Sequence, residues 1–428
     1  MLSGIYKDCP QMNPFRIKSI RLHSGERLPL LIDSNGIPLF EPTVFAISVL
    51  RGRNLASNSI KQALRALMVL QSMLDKDGIN LDRRFDQSEF LTYGEIDRLV
   101  ALSKLEMESI WEKDKPAEKQ RKMISLEQAR LNLTRRKTNY GVQPSTSAIR
   151  LVYIRIYLTW FANNRIMKMQ QGSARSEMIE LRDLVLSAIE ERTPSSRGRR
   201  GEPERMGLTP EAQMTLLEII DPAHANNPWE TLHSKERNAL IVHMMLELGL
   251  RRGELLGVRI NDIKSNELYV ARRPDDELDD RLDEPNAKTR ARPIPLSRDL
   301  SQRIYFYVNG ARYAIKAARK KPMLIVSDEG RELSLSAVNK LFVPLQLSSP
   351  LLTYVTPHTL RHTFNDNLYE SLDAAGMSHV EIRKAMIRLN GWSDNSNSPD
   401  YYTKRSTTRR AHIAQLAHQN KITLVTNK

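Results

Sequence analysis

Cysteine is almost missing from this chain: Cys9 is the only one in 428 residues. No intrachain disulfide can form, a cysteine-rich metal site is excluded, and Cys9 reads as incidental rather than as a reactive thiol. Long apolar runs are missing too. The most apolar stretch, Ala239 to Leu250, is broken by His243 and Glu247 and is too short to cross a bilayer. Met1 to Pro14 lacks the basic segment and apolar run of a secretory signal. The expectation is a cytoplasmic protein with no membrane partner. Acidic residues are in deficit, 50 against 65 Lys and Arg, giving a net charge of +15. Such an excess suits a polyanionic partner, because each neutralised phosphate releases condensed counterions. Taken alone, it fits a nucleic-acid binder, a ribosome-associated protein or a membrane-surface protein.

The chain reads as a series of segments. FRIKSIRL alternates apolar and charged residues, and LPLLI lies between the turn signals Ser24-Gly25 and Asn35-Gly36, so residues 1–40 are expected to form a small β arm or cap. Helical spacing begins near Ser57, with Ser57 or Ser59 as cap and Ile60, Leu64, Leu67, Leu70 and Leu74 on one face. Further helices are expected over Tyr93–Trp111, over the basic segment Ala117–Lys137, and from Ser145 or Ser147 onward, making residues 41–185 an all-helical basic domain. Residues 186–206 read as a linker, since ERTPSSRGRRGEPER carries five arginines and no apolar periodicity. Thr209 as cap and Pro210 in the first turn then open a second domain, over 207–415, with one strand region between Glu267 and Leu296. A tail follows at 416–428.

Four segments of the second domain carry chemistry: GLRRGELLGVRINDI (249–263), NAKTRARPIPL (286–296), PHTLRHTF (357–364) and LNGWSDNSNSPDYYTKR (389–405). Each has an ordinary reading alone. His358 and His362 have the i, i+4 spacing of a zinc helix, yet Thr359 follows where such a helix carries its glutamate base, and no third ligand is evident. In this order, the four segments resemble the catalytic boxes of tyrosine recombinases, the phage integrase type, over about residues 207–415.

That resemblance implies a fold that is mainly α with a small antiparallel β-sheet in the catalytic domain, a two-domain DNA clamp with a small N-terminal β arm. It implies double-stranded DNA as partner, a homo-tetramer on two DNA sites with a dimer per site, and room for accessory proteins, in a bacterial, phage or mobile-element setting. By motif position, Arg251 and Arg361 would bind the scissile phosphate, where two guanidiniums suit the growing charge on its oxygens. His358 would donate to that phosphate or move protons. Lys288 resembles the hairpin lysine that protonates the leaving 5′ oxygen. Trp392 stands where the family carries His or Trp, and Glu254 either orients the site or is a surface glutamate. A phosphotyrosyl bond conserves the energy of the cut strand, so no cofactor or metal is expected.

The expected nucleophile is Tyr402, with its neighbour Tyr401 as the alternative. Tyr401 lies nine residues after Trp392, the usual family spacing, whereas the local pattern Tyr-Thr-Lys-Arg favours Tyr402. On a helix their side chains point about 100° apart, so only one can face the phosphate. RRPDDELDDRLDEPN is longer than the family's hairpin and reads as a solvated acidic loop. After the tyrosines, a short amphipathic helix over about 408–418 and an apolar end at Ile422 to Val425 would dock on a neighbouring subunit or on their own domain. A type IB topoisomerase, or a catalytically silent DNA-binding protein of the same fold, remains as the alternative function.

Overall fold

The computed structural model describes residues 13–111, 141–195, 207–285 and 289–426. The chain divides into two compact units, Met1–Leu22 with Arg27–Glu202 and His23–Glu26 with Pro203–Lys428. Cys9, the segment Ala117–Lys137, most of the expected linker and Lys288 lie outside the described residues.

In the first unit, β1 (Arg16–Arg21) and β2 (Arg27–Ile32) pair antiparallel from Arg16 opposite Ile32 to Arg21 opposite Arg27. Every residue of β2 is buried, and Leu31 joins the helical core, so the hairpin is built into this unit. Helical structure starts earlier than the expected Ser57, at α1 (Phe40–Phe45) and a π-helical turn over Ala46–Arg51. α2 (Ser57–Lys76) is capped by Ala56 without any side-chain bond, so neither serine serves as cap. Ile60, Leu64, Leu67, Leu70 and Leu74 of α2 are all buried, each contributing about 1.5–3 kcal/mol in place of water contact.

α3 (Leu81–Asp86) and α4 (Tyr93–Ser103) follow, then α5 (Pro144–Ile166) and α6 (Ser173–Glu191). α4 stops at Ser103 instead of reaching Trp111. The buried Arg150 guanidinium donates to the carbonyls of Ser103 (3.0 Å) and Leu105 (2.6 Å), taking the place of the next helical N–H groups. α6 runs to Glu191, into the stretch expected as linker.

The second unit opens with α7 (Pro210–Ile219), whose cap Thr209 accepts from the Ala212 amide at 3.2 Å. α8 (Leu232–Leu248) is buried almost all round, which accounts for the apolar run Ala239–Leu250. Among the described residues, no helix is long and apolar enough to cross a membrane. After α9 (Arg252–Leu256), strands β3 (Ile263–Lys264), β4 (Glu267–Val270) and β5 (Arg292–Pro295) form one antiparallel sheet. α10 (Arg298–Asn309), α11 (Ala311–Ala314), α12 (Leu335–Ser348), α13 (Pro357–Ala374) and α14 (His379–Asn390) follow. The last element, α15 (Ser398–Thr426), is one continuous helix in place of the expected short helix and separate tail. The fold is mainly α with small antiparallel sheets.

The acidic stretch after β4 is folded against its own unit, not solvated as expected. Glu284 is buried and accepts the amides of Asp275 (3.0 Å) and Asp276 (2.9 Å). Arg281 binds the buried Asp279 and donates to the carbonyls of Leu333 (2.8 Å) and Leu256 (2.9 Å), while Asp276 pairs with Arg259 and Asp280 with Lys321. Most of its carboxylates are thus spent on internal partners.

Candidate active site

α8 ends at Gly249, in the left-handed conformation (φ +61°), and a Cβ there would lie 2.1 Å from Phe364 of α13. This turn delivers Arg251 to the start of α9. Arg251 donates to Glu254 from its amide (3.0 Å) and from its guanidinium (3.2 Å). Glu254 is buried and also accepts from Thr289 and, at 3.2 Å, from Arg292. Burial pushes the Glu254 carboxyl up, but Arg292, Arg361, Thr289 and the Arg251 amide outweigh it and leave it below the ordinary glutamate range.

Arg361 is 6% exposed and donates through one terminal nitrogen to the Gly249 carbonyl. Its other terminal nitrogen, Nη2, is buried and meets no hydrogen-bond acceptor among the described residues. Burial and then the charge of Arg251 push this guanidinium down to about 9, which keeps it cationic at neutral pH. Three arginines therefore act around one buried carboxylate, with an N–H left over. Such an arrangement has charge and a donor to offer an anion.

Trp392 is carried in by the end of α14. Gly391 closes that helix at φ +63°, and a Cβ there would strike the Arg290 carbonyl at 2.8 Å and Thr289 at 3.1 Å. Arg290 donates its amide to Gly391 (3.0 Å), and Arg292 donates to the Leu389 carbonyl (2.7 Å), so the approach to β5 ties Glu254 to the Trp392 turn. The Arg361 guanidinium sits 5.7 Å from the Trp392 ring centre.

Ser398 and Pro399 begin α15, which presents both tyrosines. Tyr402 is 6% exposed, stacks on Trp392 and lies with its hydroxyl 3.1 Å from His362 Nδ1. Burial pushes this phenol up to about 12 although Arg361 draws it down. Tyr401 is half-buried, edge-on to Tyr402, with Arg405 over its ring. His358, exposed at the first turn of α13, touches His362 through their Nε2 atoms at 2.9 Å. Among the described residues no three His, Cys, Asp or Glu side chains are grouped to hold a metal ion.

The structure thus brings together Arg251, Glu254, Arg361, Trp392, Tyr402 and, through His362, His358. Lys288 lies outside the described residues, and Arg252 turns away to Asn339 at 2.6 Å. Sequence reasoning missed three members. Arg292 shares the buried side of β5 with Ile294, an alternation legible in RPIP. Thr289 gives no sequence signal of its role. His362 was read only as half of a zinc spacing, though i, i+4 places it one turn along the same face.

Residues 216–409 match the phage integrase family model. This segment is a phage integrase family domain. The phage integrase domain's relatives include tyrosine recombinase XerC of Proteus mirabilis, 25% identical over 233 residues that cover 54% of this chain and 61% of that protein. Tyrosine recombinase XerD of Oceanobacillus iheyensis is 26% identical over 136 residues, 32% of this chain and 42% of that protein. The match therefore spans less than two thirds of the length of these relatives. Among solved structures, XerA recombinase (14% identity, TM-score 0.36, 88% of this chain and 98% of that chain) is similar. So is a lambda integrase dimer bound to a COC′ core site (12% identity, TM-score 0.43, 90% and 78%).

Proposed function

We propose that this chain is a site-specific tyrosine recombinase that cuts and rejoins DNA strands through a 3′-phosphotyrosyl intermediate, serving integration or excision of a mobile element. One observation carries the reading: the buried Nη2 of Arg361, without an acceptor among the described residues, lies in the cluster of Arg251 and Glu254 that also adjoins the Tyr402 phenol. A phosphodiester held by the two arginines meets both the charge it needs in its transition state and an oxygen nucleophile. Glu254 and Arg292 hold Arg251 in place, Trp392 walls the phenol, and His358 donates to the phosphate. Lys288 is proposed to protonate the leaving 5′ oxygen. Tyr402 is favoured over Tyr401 by its stack on Trp392 and its bond to His362.

The names of the XerC and XerD relatives support the same class. The net charge of +15 fits a clamp of two units on double-stranded DNA, working as a dimer per site and a tetramer on two sites, with or without accessory proteins.

The test selects the bound site from random duplexes and offers it nicked, so that cleavage traps the adduct. The chain is expected to become covalently attached without Mg²⁺ or ATP, and Tyr402→Phe to abolish attachment while Tyr401→Phe retains it. The reverse pattern moves the nucleophile by one residue. Relaxation of any supercoiled plasmid by monomer points to a topoisomerase, and binding without an adduct leaves a DNA-binding protein.

A further inference from the structure

Tyr402 must lose a proton to attack, and the arginines about it cannot accept one. Two groups beside it can. Asp366, one turn along α13 from His362, is engaged in an ion pair with Arg405 of α15 at 2.9 Å and by the Gly207 amide. His362 points Nδ1 at the phenolic oxygen at 3.1 Å. Its other nitrogen faces His358 Nε2 at 2.9 Å, a distance at which one of the two nitrogens carries the proton and the other accepts it. Among the described residues, Tyr401 on α15 also packs against the His362 ring, Arg361 is the next residue on the same helix, and the Trp392 indole stacks on the phenol.

We propose that His362 is the base that takes the Tyr402 proton, and that His358 receives it in turn. The proposal rests on Tyr402 being the nucleophile. The phenol donates to His362 Nδ1, so the neutral imidazole carries its own proton on Nε2 and gives it to His358 Nε2. In the cleavage step, the phenolic oxygen forms the new bond to phosphorus and its proton passes to His362 Nδ1. The Nε2 proton of His362 passes to His358, which becomes imidazolium at the exposed end of the helix. The bond to the 5′ oxygen breaks, and that oxygen takes its proton from the group proposed for it, Lys288. Rejoining runs the relay backwards: the 5′ hydroxyl gives up its proton on that side, and His362 returns one to the departing phenolate. The i, i+4 spacing puts both imidazoles on one face, which makes the relay a property of this helix.

The test measures single-turnover adduct formation on the selected nicked duplex across neutral pH for the wild type, His362→Ala, His362→Asn and Tyr402→Phe. His362→Asn keeps an amide beside the phenol but cannot relay a proton. Both His362 variants are expected to bind the duplex as the wild type does and to cleave it roughly 10²–10⁴-fold more slowly. Both are also expected to lose the imidazole inflection of the pH profile, which a purely structural role would not remove. Wild-type rate and profile in His362→Ala, with Tyr402→Phe inactive, overturns the relay and leaves the recombinase reading standing. An adduct surviving in Tyr402→Phe removes the nucleophile assignment and the relay with it. Independently of cleavage, ¹⁵N-histidine NMR of the free protein is expected to show His362 protonated on Nε2 and its Nδ1 resonance shifted by Tyr402→Phe. An Nδ1–H tautomer overturns the proposal.

Discussion

The ring planes of Trp392 and Tyr402 are 8° from parallel, with centres 6.2 Å apart. At that separation the parallel rings are offset, an arrangement aromatic quadrupoles favour over a face-on sandwich. The stack links two elements that the sequence keeps apart, the turn after α14 and the first turn of α15. The same indole lies 5.7 Å from the Arg361 guanidinium, so it packs beside both groups.

Trp392→Ala is therefore expected to destabilise the chain by about 3–5 kcal/mol, the usual range for removing a buried Trp. Trp392→Phe keeps an aromatic face for Tyr402 and should lose much less. Urea unfolding of both variants checks this, and equal losses would show that the stack contributes little beyond filled volume.

Glu254 holds Arg251 and Arg292 from a buried position. Glu254→Gln leaves the guanidiniums without their counter-charge, and a loss of about 3–5 kcal/mol is expected from breaking a buried pair on one side. The pH dependence has a definite sign. The folded carboxyl titrates below its ordinary value of 4.5, so its contribution is complete above that value and is lost as pH falls through the folded one. Denaturation midpoints from neutral into acid should fall for the wild type and show a smaller acid component in Glu254→Gln.

Much of this was legible before any coordinates. The apolar face of α2, the Thr209 cap and the strands in FRIKSIRL and LPLLI follow from local patterns, which the tertiary structure does not override. The arrangement of the site residues was less accessible. Arg251 and Arg361 could be picked out as types, but the Gly249 carbonyl that anchors Arg361 is a long-range partner with no signature in either segment. The early end of α4 depends on Arg150 reaching back from α5, and the folding of the acidic stretch depends on Arg259 and Lys321 outside it. Local reading sees a charge run there. The partners that absorb it are distant in sequence.

Gly249 allows a controlled test of backbone requirement. An alanine there meets both a left-handed backbone and the Phe364 ring, whereas at Gly36 (φ +83°) nothing lies within 4 Å of the added Cβ. Gly36→Ala should cost about 1–2 kcal/mol from conformation alone, and Gly249→Ala about 2–5 kcal/mol once overpacking is added. Because Gly249 also anchors Arg361, its variant should lose DNA cleavage as well as stability. Matched thermal melts of the two variants decide whether the close approach matters.

Asp366 sets a pH dependence of the opposite sign to that of Glu254. Burial pushes its carboxyl up from 3.8 to about 6, although Arg405 and the Gly207 amide draw it down. Between those values the folded chain holds the proton more tightly than the unfolded chain, so stability falls as pH rises through the window and stays lowered above it. Asp366→Asn removes the ionisable group and should gain stability relative to the wild type as pH rises from 3.8 to about 6, with the gain constant above that. The same negative charge raises the Tyr402 phenol, so the variant should also form its adduct at lower pH. Melting temperatures of both proteins on either side of the window provide the check. A difference that stays constant with pH would mean that the Arg405 pair fully offsets the burial of Asp366.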